Sequence, residues 1–422
     1  MNKLIRSALL EAYTEPIRDA LWGHIYLTPG LQALTESSPF MRLHRIMQLG
    51  PTLRVYPGAT HTRASHSIGV YHLARRLLIH LADEGADTWL SSEGVKSFLC
   101  AALLHDLGHF PYTHSLKELP LLQHEALTGN LIVSEPIKSL VGKAGGDPYF
   151  TAAIVDEQRG SDEQLGGGNG ELVFYRKLLS GSLDPDKLDY LSRDARYCGV
   201  PYGVQDVDFI LSRLHPHPER GVDIDSRGIS GVESLLFSKY LMYRAVYWHR
   251  SVRAATAMVK KALLEGLESS LISAEELYHL DDQGLFALSE RLAPPLNALV
   301  GSVRNGRLFS VLIELPFDEN THAGLLDLGE RGRVEKGLAA ELNLEHALIV
   351  DLPEPISFES GLFVSDENCF FSASNSAFKS GLIDEFVKSL RIIRVFIDPF
   401  FEKELLSSRE SILQISKKWL NI

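Results

Sequence analysis

The chain has 422 residues, 45% of them hydrophobic and 23% charged, with a formal net charge of −12. That length fits a large domain with a smaller one attached, and the acidic balance excludes an overall basic footprint for nucleic acid. Cys100, Cys198 and Cys369 form no CxxC pair, the N-terminus lacks the apolar run of a signal peptide, and no stretch reaches about 18 uninterrupted apolar residues. A cytoplasmic protein with no disulfide framework and no membrane span is expected.

In chain order, residues 1–36 read as an irregular segment in which HIYLTPG, His24 to Gly30, supplies a short strand and turn. From Ser38, SPFMRLHRIMQLG predicts a helix that stops at Gly50. VYPGATHTR reads as a loop, and Ser65 to Gly85 as an amphipathic helix closed by glycine. Ser92 is the expected cap of the next helix, EGVKSFLCAALLHD, and Pro111 blocks its continuation. GGDP and LGGGNG, within 145–170, read as mobile loops. Asp184 to Tyr197 predicts a helix broken by GVPYGV, and Val232 to Ser270 is the longest uninterrupted helix candidate.

Beyond Pro294, ALIVDLP, ISFES, GLFVS and RIIRVFIDP read as short strands among helices. The expected fold class is mainly α: an N-terminal segment 1–36, a helical core 37–270, and a smaller α+β accessory region 271–422. A doubly wound parallel sheet is disfavoured.

The decamer HDLGHFPYTH, His105 to His114, sets an adjacent His105–Asp106 pair at the end of an apolar helix, with His109 and His114 on the turn beyond. Imidazole nitrogen and carboxylate oxygen suit divalent first-row metals, but two ligands cannot fill a coordination sphere. THTRASHS supplies Arg63 and His66 three residues apart, a plausible third ligand beside a guanidinium suited to phosphate. DPDKLDYLSRD puts Asp186, Tyr190 and Asp194 on one helix face, with Lys187 beside them. Asp186 completes a set of His66, His105, Asp106 and Asp186. In the long helix Lys239, Tyr243 and Tyr247 recur every four residues, with His249 and Arg250 beyond, and His124–Glu125 follows the decamer. A His or Glu so placed can orient or titrate with a catalytic imidazole.

These ordered motifs resemble the HD-domain phosphohydrolases, and within them the deoxynucleoside triphosphate triphosphohydrolase branch. QLG at 48–50, YPGATHTRASHS and YRAVYWH at 243–249 strengthen the likeness, which spans about Glu15 to Ala262. The resemblance implies an HD-domain helical core in which His66, His105, Asp106 and Asp186 hold a divalent metal. Mn, Fe, Mg, Ni, Co and Zn all suit that set, and a second Mg²⁺ would arrive on the substrate. It implies that Arg63, Lys187 and Lys239 contact phosphates. His114 would act as general acid, with His109, His124 and Glu125 around it. Gln48, Leu49, Tyr190, Asp194, Tyr243 and Tyr247 would line the substrate pocket and favour a deoxynucleotide.

The implied reaction is attack of a metal-activated hydroxide at the α-phosphorus of a dNTP, releasing deoxynucleoside and triphosphate. Alternatives are hydrolysis of another phosphoester, such as a nucleoside monophosphate or signalling nucleotide, and nucleotide binding without turnover. Relatives of this kind form homodimers and homotetramers. Lys239 stands where the branch often has arginine, and Lys117 where a carboxylate often backs the catalytic histidine, which leaves Glu118 or Glu125 to compensate. Glu36, Met41 and His44 replace the Asp, Gln and Arg with which activated members read a guanine effector.

Overall fold

The computed structural model describes residues 1–10, 13–160, 170–344, 347–358, 361–401, 414–415 and 418–420. The first 36 residues are more regular than expected. Helix α1 (Lys3–Leu10) buries Ile5, Ala8 and Leu9, and strands β1 (Ile17–Asp19) and β2 (Gly23–Ile25) pair as an antiparallel hairpin. Helix α2 (Pro29–Thr35) starts from the cap Thr28 with proline at its first position. Each element is too short for its periodicity to stand out, and each is stabilised by the core it packs on. Helix α3 (Ser38–Leu43) ends before Gly50. There Met47 pairs with Thr62 in a β-bridge and the Gln48 N–H donates to His61 O, so the backbone serves a tertiary contact instead of the helix.

Helices α4 (Arg63–Asp83) and α5 (Ser92–Leu104) form the centre. Phe98 to Leu104 of α5 are all buried, and a helix apolar on every face belongs inside a core. Ser91 caps α5, one residue earlier than expected. Helix α4 buries Arg63, His66 and Ser67 as well as its apolar stripe. Around this pair run α6 (His124–Ile132), α7 (Ile137–Lys143), α8 (Pro148–Val155), α9 (Glu171–Leu179) and α10 (Pro185–Cys198). The expected loop at GGDP starts a helix instead: the Asp147 carboxylate accepts from Phe150 N at 2.6 Å, and Pro148 opens α8. LGGGNG lies outside the described residues except for Gly170. Helix α10 stops at Gly199, whose φ of +68° suits glycine at a helix C-terminus.

The single long helix expected over 232–270 is two. After α11 (Val207–Leu211), β3 (Leu214–His217) and β4 (Gly221–Ile224), α12 (Ile229–Met242) widens into a π turn at Tyr243–Tyr247. The His249 side chain then caps α13 (Arg250–Glu268). No proline or glycine marks this break. Here Tyr247 packs on Tyr190 and donates to Asp194 of α10, and π turns recur at functional sites.

The remaining chain contributes α14 (Ala274–Tyr278), α15 (Asp282–Ser289), α16 (Leu296–Arg304), β5 (Ser310–Pro316), α17 (Glu319–His322), α18 (Leu328–Leu342), β6 (Leu348–Asp351), β7 (Phe363–Val364), β8 (Cys369–Phe370), α19 (Ser380–Leu390) and β9 (Ile392–Ile397). Two small sheets result, β3-β4-β7-β8 and β5-β9-β6. ALIVDLP, GLFVS and RIIRVFIDP provide β6, β7 and β9 as expected, whereas the described part of ISFES is irregular and β5 went unforeseen. Phe110, Leu116 and Leu119, which flank His114 in sequence, share a core with α13, α16, Ile349 and Phe396. Buried charges reinforce that junction. Arg253 of α13 binds Asp351 of β6 through Nε and Nη2 at 2.8 and 2.6 Å, and Arg331 of α18 grips Glu118 at 2.7 and 3.1 Å. Among the described residues, no helix is long and apolar enough to cross a membrane.

Candidate metal centre

Three elements bring His66, His105, Asp106 and Asp186 together: ligand atoms of the first three all lie within 4.8 Å of one another, and Asp186 joins them through the two histidines. His66 lies in the first turn of α4, His105 and Asp106 directly follow α5, and Asp186 lies in the first turn of α10. His66 Nε2 is 2.9 Å from Asp186 Oδ1 and 3.9 Å from Asp106 Oδ2. His105 Nε2 is 3.3 Å from Asp106 Oδ1 and 3.7 Å from Asp186 Oδ1. Ligand atoms bound to one ion at about 2.0–2.2 Å lie roughly 2.8–3.6 Å from one another, so these separations are near those a cation imposes. His105 Nε2 is buried without a hydrogen-bond partner among the described residues, although it faces two carboxylates. A buried imidazole nitrogen with no hydrogen-bond partner is one that a divalent ion could satisfy.

Both rings are turned by their other nitrogen. His66 Nδ1 pairs with Asp189 Oδ2 at 2.8 Å, and His105 Nδ1 with Ala102 O at 3.0 Å. A donating Nδ1–H leaves the Nε2 lone pair aimed inward, the arrangement that metal-binding histidines need. Burial opposes charge on His66, but the bonds to Asp186 and Asp189 outweigh it and raise its pKa to about 10. Burial likewise opposes charge on the two acids, and His66 together with His105 or Arg193 holds them at about 2. Arg193 already balances Asp189, and beside Asp186 a divalent ion would stand in place of the His66 proton. Asp186 keeps 35% of its side chain exposed while His66 keeps 2%, so the group reaches solvent on the Asp186 side.

Beside it stands a histidine cluster. His109 Nδ1 is 3.0 Å from Asp106 Oδ1, and its Nε2 is 3.1 Å from His114 Nε2. The His109 and His124 rings are 3.9 Å apart between centroids. Burial, assisted by Arg63 and by neighbouring imidazoles, depresses all three well below the usual histidine range. The His114 side chain nevertheless reaches solvent. Glu125 lies 3.1 Å from His124 Nδ1. Glu118 does not back His114, because Arg331 and Lys260 occupy its carboxylate. The guanidinium of Arg42, which the sequence did not single out, ties the same loop to the core through Leu107 O, His109 O and Leu280 O.

A second cluster adjoins the first through α10. Asp194 accepts from Tyr247 Oη at 2.6 Å, and its other oxygen pairs with His61 Nε2 at 2.8 Å. Tyr190 and Tyr243 pack on Tyr247 at 6.5 and 5.0 Å between ring centroids. Gln48, beside Leu49, joins His61 through its backbone, and its Oε1 is buried without a partner among the described residues. The three cations expected at phosphates are committed within the protein. Arg63 Nη1 binds Asp106 Oδ2 at 2.7 Å, Lys187 binds Asp184 Oδ2 at 2.6 Å, and Lys239 binds Ser357 O at 2.8 Å. Glu36, Met41 and His44 are all exposed.

Sequence reasoning missed His61, Asp189 and Arg193. The last two stand four apart on α10, a spacing that signals an ion pair, but the choice of Asp186 and Asp194 passed over them. Space for Asp189 comes from Gly69. A Cβ there would meet Asp189 and Arg193, neither of which is a free chain end. Gly69→Ala is expected to destabilise the protein by about 1–3 kcal/mol and to weaken divalent-metal binding, as measured by denaturant unfolding and Mn²⁺ titration.

Comparison with known proteins places these residues in a family context. Residues 63–159 match the family model of the HD domain, and residues 206–376 match that of the HD associated region. Uncharacterized protein YwfO of Bacillus subtilis is 36% identical over 232 residues, which is 54% of this chain and 50% of that protein. Deoxynucleoside triphosphate triphosphohydrolase SAMHD1 of Homo sapiens is 27% identical over 275 residues, 59% of this chain and 44% of that protein. The chain thus spans about half the length of these curated relatives. A crystal structure titled as a phosphohydrolase from Bacteroides thetaiotaomicron superposes with a TM-score of 0.70 at 22% identity, covering 91% of this chain and 99% of that one. This likeness establishes the fold.

Proposed function

From the premise that this chain belongs to the HD-domain phosphohydrolase superfamily, on its deoxynucleoside triphosphate triphosphohydrolase-like side, we propose that it hydrolyses dNTPs to deoxynucleoside and triphosphate. The observation that carries the reading is the buried, unpartnered His105 Nε2 facing His66, Asp106 and Asp186. Those four residues would hold a divalent ion, which supplies Lewis-acid charge at a phosphoryl group and activates water.

The protein's own groups account for the rest. Arg63 stands against Asp106 and supplies positive charge where negative charge develops on phosphoryl oxygens. His114 would protonate the leaving 5′-oxygen. Burial, with His109, Arg63 and Lys117 nearby, lowers its pKa in the free protein, and a polyanionic substrate would act in the opposite direction. Asp194, pinned from both sides by His61 and Tyr247, is a fixed acceptor for a sugar hydroxyl, with Gln48, Leu49, Tyr190 and Tyr243 around it. The working form would be a homodimer or homotetramer, as the family resemblance implies.

Incubation with each dNTP and Mn²⁺ or Mg²⁺ is expected to yield intact inorganic triphosphate. Orthophosphate as the only product would reject attack at the α-phosphorus. A second reading, turnover of a nucleoside monophosphate, is favoured by the internal commitments of Lys187 and Lys239, which leave a long phosphate chain fewer ready partners. Turnover of dAMP without turnover of dATP would select it.

A further inference from the structure

We propose that the N-terminal hairpin β1–β2 is part of the metal centre, with Trp22 and Asp19 acting as positioning residues that hold His66 through Asp189 and Arg193. The inference rests on the reading of His66 as a metal ligand. An ionised carboxylate offers about four acceptor sites. Those of Asp189 meet four donors: His66 Nδ1 at 2.8 Å, Arg193 Nε at 2.8 Å, Arg193 Nη2 at 2.9 Å and Trp22 Nε1 at 2.6 Å.

His66 comes from α4 and Arg193 from α10. Trp22 is the donor from outside these two helices. Its bond falls on Oδ1, the oxygen opposite the one that binds His66, and so opposes rotation of the carboxylate away from the imidazole. Arg193 is fully buried and is held from its other side by Asp19, at 2.8 Å from Nη1 and 3.3 Å from Nη2. Asp19 therefore balances the guanidinium charge and leaves its Nε–Nη2 edge for Asp189. The Trp22 indole also stacks on His72 of α4, with ring centroids 6.4 Å apart. Trp22→Phe would keep that packing and remove the N–H alone. Neither Asp19 nor Trp22 falls within the segments matched to known families.

The test is Mn²⁺ titration of the full-length, metal-stripped protein by calorimetry. Wild type is compared with Trp22→Phe, Asp19→Asn and Trp22→His. Groups that orient a metal-binding histidine typically change affinity 10–100-fold, and Trp22→Phe is expected to weaken Mn²⁺ binding by about tenfold or more. Trp22→His should recover much of the loss, because the five-membered ring carries its Nε2–H where indole carries Nε1–H. Unchanged affinity in Trp22→Phe overturns the proposal. So does equal weakening in the Phe and His variants, which would assign the effect to packing. If Trp22→Phe fails to fold, Asp19→Asn decides: wild-type affinity in that variant overturns the proposal, and weakened affinity supports it. Absence of Mn²⁺ uptake by the wild type is a separate result, which removes the metal-centre reading and this inference with it.

Discussion

Replacing Asp106 with alanine is expected to strip the protein of stoichiometric divalent metal and to lower phosphohydrolase turnover by at least about a thousandfold. One oxygen of Asp106 lies 3.3 Å from His105 Nε2 and 3.0 Å from His109 Nδ1, and the other accepts from Arg63 at 2.7 Å. Loss of the carboxylate thus removes a ligand charge and leaves buried Arg63 beside the histidine cluster without its counter-ion. Breaking a buried pair from one side costs about 3–5 kcal/mol, so a fall in stability should accompany the loss of metal. His114→Asn provides the contrast. It is expected to keep the metal and to lose about 10²- to 10⁴-fold in rate, the usual contribution of general acid catalysis. Metal analysis by atomic spectroscopy, coupled to product release, separates the two. Wild-type metal content in Asp106→Ala would falsify the ligand assignment.

Asp351→Ala is expected to destabilise the fold by about 3–5 kcal/mol. Asp351 is fully buried and binds Arg253 with both oxygens, while Lys260 stands 3.9 Å away. The variant leaves Arg253 and Lys260 in a low-dielectric junction with Glu118, which Arg331 shares, and the half-buried Glu354 to balance them. Burial opposes the Asp351 charge, yet Arg253 and Lys260 outweigh it and hold its pKa below the ordinary carboxylate value. A depressed folded-state pKa gives stability that is fully present above the unfolded value, about 3.9 for Asp, and that is lost as pH falls through the folded one. The wild type should therefore lose stability on acidification below about pH 4, and Asp351→Ala should lose less over the same interval. Urea melts from pH 7 to pH 3 measure both effects, and parallel pH profiles would count against this role for the junction.

Much of the candidate site was legible because its residue types are costly anywhere else. A His–Asp pair closing an apolar helix, an Arg-x-x-His entering another, and acids at helical spacing in DPDKLDYLSRD are poor choices for a plain core. Their convergence within 4 Å of one another, for the pairs noted above, accords with that reading. The supporting groups were less visible. Asp189 was one acid among several in the same run, His61 was one residue of a loop, and Trp22 lay in a segment read as irregular. Glu118 was considered as a partner for His114, but α18, more than two hundred residues away, supplies Arg331 and takes it.

Local pattern also determined which segments are helical along α4, α5 and α10, since apolar period, caps and glycine stops act over a few residues and can be read from them. It predicted a mainly helical chain with short strands near the end, because β-branched runs are themselves a local property. It could not predict that the helix over 232–270 breaks at Tyr243–Tyr247, or that α3 stops at Leu43. Both depend on side chains and backbone groups drawn from distant positions, Asp194 in the first case and Thr62 and His61 in the second. Lys187 and Arg193 meet acids three and four residues away in the chain, but tertiary structure alone decided where Arg63, Lys239 and Arg331 point. A buried charge takes whichever opposite charge folding brings to it, and the low dielectric of the interior makes that choice stronger than any local preference.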